Sequence, residues 1–156
     1  MPARMHSEYL RRLFLDNDFA EGRHLVDGKP VALTDIRAPI FAVGTETDHV
    51  APWRSVYKFR ILADTDVTFL LTTGGHNAGI VSGVHNTRRS YRVASAAVTD
   101  TYIDPEIWLA QVPHRQGSWW PGVEWVRACS GEDVAPPRLG NIDPTCPAPG
   151  SYVYAR

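Results

Sequence analysis

Two short apolar runs separated by one amphipathic stretch limit what this chain can become. Residues 39–44, PIFAVG, and 67–73, VTFLLTT, are rich in β-branched and aromatic residues and are each closed by turn formers. Such runs suit strands covered on both faces, the habit of parallel sheets. Between them, WRSVYKFRILAD sets Val56, Phe59 and Leu62 at a helical period among Arg and Lys, and Asp64, Thr65 and Asp66 end the pattern. Strand, helix, strand in that order predicts two parallel neighbours joined by a right-handed crossover, and so an α/β class.

The rest of the chain is less constrained. HSEYLRRLFLDNDFAEGR has helix-like spacing at Tyr9, Leu10, Leu13 and Phe14, with Phe19 less regular, and predicts an amphipathic helix ending near Gly22. Asp27-Gly28 lies between two short apolar pieces and reads as a turn. Residues 82–101 contain YRVASAAV, compatible with a short strand or a helix. Asp104-Pro105 then opens two amphipathic stretches interrupted by Pro113 and Gly117. From 132 onward prolines at 136, 137, 144, 147 and 149 argue against a regular element.

Composition excludes several function classes. The 156 residues hold 16 Lys plus Arg against 17 Asp plus Glu, a formal charge of -1, which gives no basic field for nucleic acid. One domain is the expectation for this length and its 44% hydrophobic content. Cys129 and Cys146 are too few for a disulfide framework and lack metal-type spacing, which suits a reduced, cytoplasmic setting. No run approaches the roughly 20 apolar residues of a membrane helix, and the first residues lack the apolar core of a signal peptide. The six histidines include no pair with His-Glu-x-x-His spacing, so no metal is expected.

The chemistry-bearing residues follow the two strands. In open parallel sheets the loops at the carboxyl ends of strands form the functional edge. Asp48 follows the first strand and His76 the second. One crossover unit separates them, so the carboxylate is placed to accept a hydrogen bond from the imidazole. That bond fixes the tautomer and leaves the other ring nitrogen to take a proton from a nucleophile. Bland readings stand beside this one. Asp48 also suits the cap of a helix beginning near Pro52, and a lone histidine is more often structural than catalytic. Gly75, Ala78 and Gly79 around His76 suit close approach by a substrate or partner chain. His49 reads as an ordinary solvated or packed histidine. Trp119 and Trp120, with Trp108 and Trp125, suggest polymer or acyl binding, although large aromatics usually fill a core. The expected nucleophile is missing. No small-x-nucleophile-x-small turn precedes Asp48, and both cysteines follow His76, Cys129 in RACSGED and Cys146 in PTCPAPG.

The blocks GTETDHVAPWRSVYK, TTGGHNAGIVS, GSWWP at 117–121 and PAPGSYV at 147–153 occur in an order that resembles the C-terminal end of class I polyhydroxyalkanoate synthases. These acyltransferases polymerise 3-hydroxyacyl-CoA into polyester with release of CoA. The upstream HSEYLRRLFLDNDFAEG and VDGKPVALTDI extend the likeness to nearly the whole chain. The resemblance implies the C-terminal portion of an α/β-hydrolase fold, with the upstream strands and the nucleophile elbow lying N-terminal to Met1. Residues 1–38 would be a lid-like helix and connector, and 39–81 a strand-helix-strand unit with acid and histidine loops. Residues 82–131 would be covering helices and 132–156 a Pro-rich tail. It implies a Cys-His-Asp mechanism in which His76 activates the family's cysteine. Asp48 would orient His76 or act as base on the incoming hydroxyl. The implied partners are 3-hydroxyacyl-CoA, the growing polyester, and an N-terminal half or a synthase homodimer, with no cofactor beyond the CoA substrate. The setting would be cytoplasmic, in association with polymer granules. Without its nucleophile the chain alone is expected to be inactive. The competing expectations are a noncatalytic piece that binds an intact synthase or a granule, and a fragment of an esterase or thioesterase of the same fold.

Overall fold

A computed structural model describes residues 1–137 and 147–154, and Cys146 and part of the Pro-rich tail lie outside them. The two apolar runs are strands β3 (Ile40–Thr45) and β4 (Val67–Thr72), preceded by the hairpin strands β1 (His24–Val26) and β2 (Lys29–Val31). β3 and β4 pair in parallel, with Ile40 opposite Val67 and Thr45 opposite Thr72, as the strand-helix-strand pattern predicts. All six residues of β4 are buried because both faces of this central strand are covered.

One face carries the core. Val67, Phe69 and Leu71 of β4 and Ala42 of β3 pack against Trp53 and Tyr57 of α2 (Trp53–Tyr57) and Trp108 of α4 (Pro105–Gln111). Phe69 lies edge-on to both Tyr57 and Trp108, each ring centroid 5.0 Å away, an arrangement that adds quadrupole attraction to apolar burial. Gly44 faces the same layer. A Cβ there would sit 2.9 Å from Trp53 Cβ, so the glycine that closes the strand in the sequence also lets α2 approach β3 closely. On the opposite face, Phe41 packs on Trp125 of α5 (Val123–Ala128) with centroids 5.2 Å apart. Gly122, just before α5, rests on Phe41 and Leu70.

The crossover is two short helices rather than one. α2 is followed by α3 (Phe59–Leu62) after a tightened turn at Lys58, whose N–H reaches Ser55 O at 3.3 Å. The N-terminal helix is also shorter than its sequence pattern. α1 (Ala3–Tyr9) runs on as a wider-wound stretch, Leu10–Leu15, and stops at Asp16 instead of near Gly22. Asn17 takes a left-handed conformation (φ 52°), and Arg23 folds back onto Asp18 and the Asp16 carbonyl. Asp-Asn-Asp side chains compete with helical backbone bonds, which accounts for the early stop. The Asp27-Gly28 turn is present. Both residues have positive φ, as a two-residue hairpin between β1 and β2 requires.

Residues 82–131 are not only covering helices. β5 (Ser90–Ala96) adds antiparallel to β4, and β6 (Arg115–Gln116) adds to β5, giving a mixed sheet of order β3-β4-β5-β6. Strand wins over helix in YRVASAAV because alternate residues serve opposite faces. Ala94 lies against the aromatic core, while Ser95 bonds Thr68 Oγ1 on the other face at 2.8 Å. The architecture is therefore an α/β sheet with helices on both faces, and among the described residues β3 is an edge strand. Ile40 and Glu46 direct their N–H groups to β4. The alternation of a parallel ladder then turns the N–H and C=O groups of Phe41, Val43 and Thr45 toward the open side.

Replacing Phe69 with alanine removes the ring on which the helix layer converges. Phe69→Ala is expected to lose about 3–5 kcal/mol of unfolding free energy in a urea titration, whereas a loss under about 1 kcal/mol would show that the aromatic cluster does not hold the layer.

Candidate active site

Level strand ends bring the two candidate side chains together. Past the last paired residues the ladder continues in two backbone bonds, Glu46 N to Thr72 O at 3.0 Å and Thr47 N to Gly74 O at 3.1 Å. The loops leave side by side. His76 Nδ1 then lies 2.9 Å from Asp48 Oδ2, across the 28 positions that separate them in sequence.

Each carboxylate oxygen of Asp48 has its own partner. Oδ1 accepts the N–H groups of Val50 at 2.8 Å and Ala51 at 2.9 Å, and Oδ2 faces His76. The side chain is 7% exposed, against 48% for His76. The Ala51 amide, the His76 ring and the Val50 amide together hold the Asp48 carboxyl down at about 2, although partial burial opposes them. Asp48 is thus ionised at neutral pH and accepts only, so Nδ1 donates and the proton of a neutral His76 sits there. Nε2 carries the lone pair and has no hydrogen-bond partner among the described residues. The helix-cap reading is corrected in detail: α2 starts at Trp53 with Pro52 as its N-cap and no side-chain cap, and Asp48 closes the turn before it.

The glycines near His76 serve internal packing. A Cβ on Gly79 would meet Thr73 O at 2.8 Å and the methyl groups of Thr45 and Thr72 at 2.9 Å, so the loop folds back onto the strand ends. Only Gly75 opens outward, with Thr47 Oγ1 its single neighbour at 3.9 Å. The rest of the loop is braced by residues that follow β6. Trp119 Nε1 donates to Ile80 O at 3.0 Å, and Ser82 O accepts from Ser118 Oγ at 3.2 Å and Trp120 Nε1 at 2.6 Å. The packing reading holds for Trp108 and Trp125, while Trp120 is exposed and is held by a hydrogen bond. Trp108 fills the core and Trp125 covers Phe41, whereas Trp119 and Trp120 tie down the loop after His76.

His49 is exposed and makes no hydrogen bond in the described structure, and Cys129 is an exposed free thiol just after α5. Two features escaped the sequence reading. Trp53 is 4% exposed and anchors α2 under Gly44. His114, beside β6, approaches Glu46 at 3.9 Å. No helix of the described residues is long and apolar enough to cross a membrane.

An ionised carboxylate that orients a histidine with a free Nε2, at the carboxyl ends of adjacent parallel strands, defines an acid–histidine dyad on an α/β sheet. Comparison with known proteins says which family the chain belongs to. The chain is 34% identical over its whole length to the poly(3-hydroxyalkanoate) polymerase subunit PhaC of Rhizobium meliloti. It is 35% identical to poly(3-hydroxyalkanoate) polymerase 2 of Ectopseudomonas oleovorans and 32% to the PhaC subunit of Cupriavidus necator, again across all of its residues. No protein-family model matches. The chain belongs to the poly(3-hydroxyalkanoate) polymerase family as a C-terminal part of it, and spans about a quarter of the length of the relatives it matches.

The dyad has a pH signature. The folded-state Asp48 carboxyl lies below its unfolded value, so its contribution to stability is complete above about pH 4 and is lost as pH falls toward 2. Denaturant unfolding of the chain and of Asp48→Asn should therefore differ at pH 7 and converge near pH 2. A difference unchanged between those pH values would place the stabilisation elsewhere.

Proposed function

We propose that this chain is the acid–histidine segment of a poly(3-hydroxyalkanoate) polymerase, within an α/β-hydrolase-type catalytic domain. The observation that carries the reading is the Asp48–His76 bond, made by two loops that the parallel register sets side by side in a chain related to those polymerases. The substrate class is a 3-hydroxyacyl-CoA thioester and the product a polyester.

In this reading His76 Nε2 takes the proton of a thiol brought to it by another segment of polymerase polypeptide. The thiolate attacks the thioester carbonyl, the bond from that carbon to the CoA sulfur breaks, and the imidazolium returns its proton to the departing CoA thiolate. The acyl group is then carried on the protein. A hydroxyl at the end of another acyl chain attacks it next, His76 takes the hydroxyl proton, and the new ester forms as the protein thiol leaves and is reprotonated. Asp48 keeps the proton on Nδ1 and stabilises the imidazolium at both stages. The thiol is assigned to another segment because Cys129 follows a helix, not a strand-to-helix turn, and the sequence around Cys146, PTCPAPG, lacks the elbow pattern.

The test is CoA release from 3-hydroxybutyryl-CoA by the purified chain, alone and mixed with a separately expressed polymerase segment that carries the family's cysteine. Turnover is expected in the mixture and not in the chain alone. Asp48→Asn and His76→Gln are each expected to lower it on the order of a hundredfold or more, with circular dichroism unchanged. Turnover by the chain alone, or full activity of both variants, would overturn the assignment.

A further inference from the structure

A second polar feature sits at the same end of the sheet as the dyad. Because β5 runs antiparallel to β4, its first residue lies beside the end of β4, and the loop leading into it returns next to the His76 loop. His85, Asn86, Thr87, Arg88 and Arg89 of that loop line a cavity of about 470 Å³ with mostly polar walls. Its charge is positive. Arg88 is exposed, and no described carboxylate pairs with Arg88, Arg89 or the nearby Arg115.

The loop is built rather than loose. Asn86 Oδ1 accepts the Arg88 N–H at 3.0 Å, Asn86 Nδ2 donates to Ser82 Oγ at 3.0 Å, and Gln116 Nε2 of β6 donates to Thr87 O at 2.6 Å. Arg89 reaches toward the dyad: its guanidinium donates to Thr73 O at 3.3 Å and lies 2.7 Å from where a Cβ on Gly74 would be. Gly74 also takes φ +122°, a conformation that other residues rarely adopt. The cationic loop and the histidine loop therefore meet backbone to side chain, two residues before His76.

We propose that residues 85–89 form a phosphate-binding floor for the nucleotide end of the acyl thioester, with Arg88 and Arg89 as its cations and His85 at its rim. The inference rests on the thioester reading above and adds the place where the substrate's charge is held. Guanidinium groups bind phosphate through paired charge-assisted hydrogen bonds, and a polar cavity beside a backbone-anchored arginine suits a phosphorylated group better than an acyl chain. The uncharged thioester end would then extend past Gly74 toward His76.

Calorimetric titration of the full chain tests this with four probes: CoA, 3′,5′-ADP, pantetheine and inorganic phosphate. CoA and 3′,5′-ADP are expected to bind with similar affinity, pantetheine and inorganic phosphate at least about tenfold more weakly, and CoA binding should weaken as salt is raised. Arg88→Glu is expected to weaken CoA binding at least about tenfold and Arg88→Lys much less, while Arg11→Glu on the N-terminal helical segment leaves it unchanged. Pantetheine binding as tightly as CoA would overturn the proposal. So would inorganic phosphate matching 3′,5′-ADP, no CoA binding at millimolar concentration, or an Arg88→Glu variant that binds normally with an unchanged circular dichroism spectrum. Failure of the catalytic reading shows separately, as absent CoA release in the reconstituted mixture with CoA binding intact.

Discussion

The parallel register of β3 and β4 is the constraint on which the site depends. Thr45 opposite Thr72 makes both strands end at one level, and the two backbone bonds beyond them keep the loops abreast until Asp48 and His76 meet. A slip of one residue would turn Ala42 and Gly44 away from the aromatic layer and put larger side chains under Trp53. The register is therefore enforced by the core. Packing of Phe69 against Tyr57 and Trp108 and the close approach at Gly44 hold the dyad's geometry without touching either member of it.

The histidine loop depends on a second support. Its carbonyls at Ile80 and Ser82 accept from Ser118, Trp119 and Trp120, so residues that follow β6 hold a loop that follows β4. Asp48 needs no such help, since the amides of Val50 and Ala51 fix its carboxylate within its own turn. The dyad joins a locally anchored acid to a remotely anchored histidine. Changes in the 118–120 segment would be felt at His76 before they were felt at Asp48.

Much of this was legible in the sequence where one signal outweighed its rivals. The runs at 39–44 and 67–73 were too short and too apolar for helices, and Gly44 and the glycine pair before His76 marked where they end. YRVASAAV was ambiguous because alanine and serine suit helix and strand alike; its pairing with β4 decided the matter. The helix that stopped at Leu15 carried its apolar spacing past the point where Asp16, Asn17 and Asp18 diverted the backbone. The tryptophans could be assigned to packing by residue type, but which of them braced the loop depended on indole N–H groups meeting carbonyls some forty positions earlier. Periodicity carries no trace of such bonds.

The 28 positions between Asp48 and His76 have a consequence for the order in which the molecule assembles. The entropy of closing a loop grows only with the logarithm of its length, and this loop is filled by two helices that form against the strands they connect. The contacts that define the dyad are therefore near neighbours in chain terms, of the kind that form early in folding. The edge that holds Asp48 and His76 is outlined by one contiguous stretch of chain, from β3 to the loop after β4.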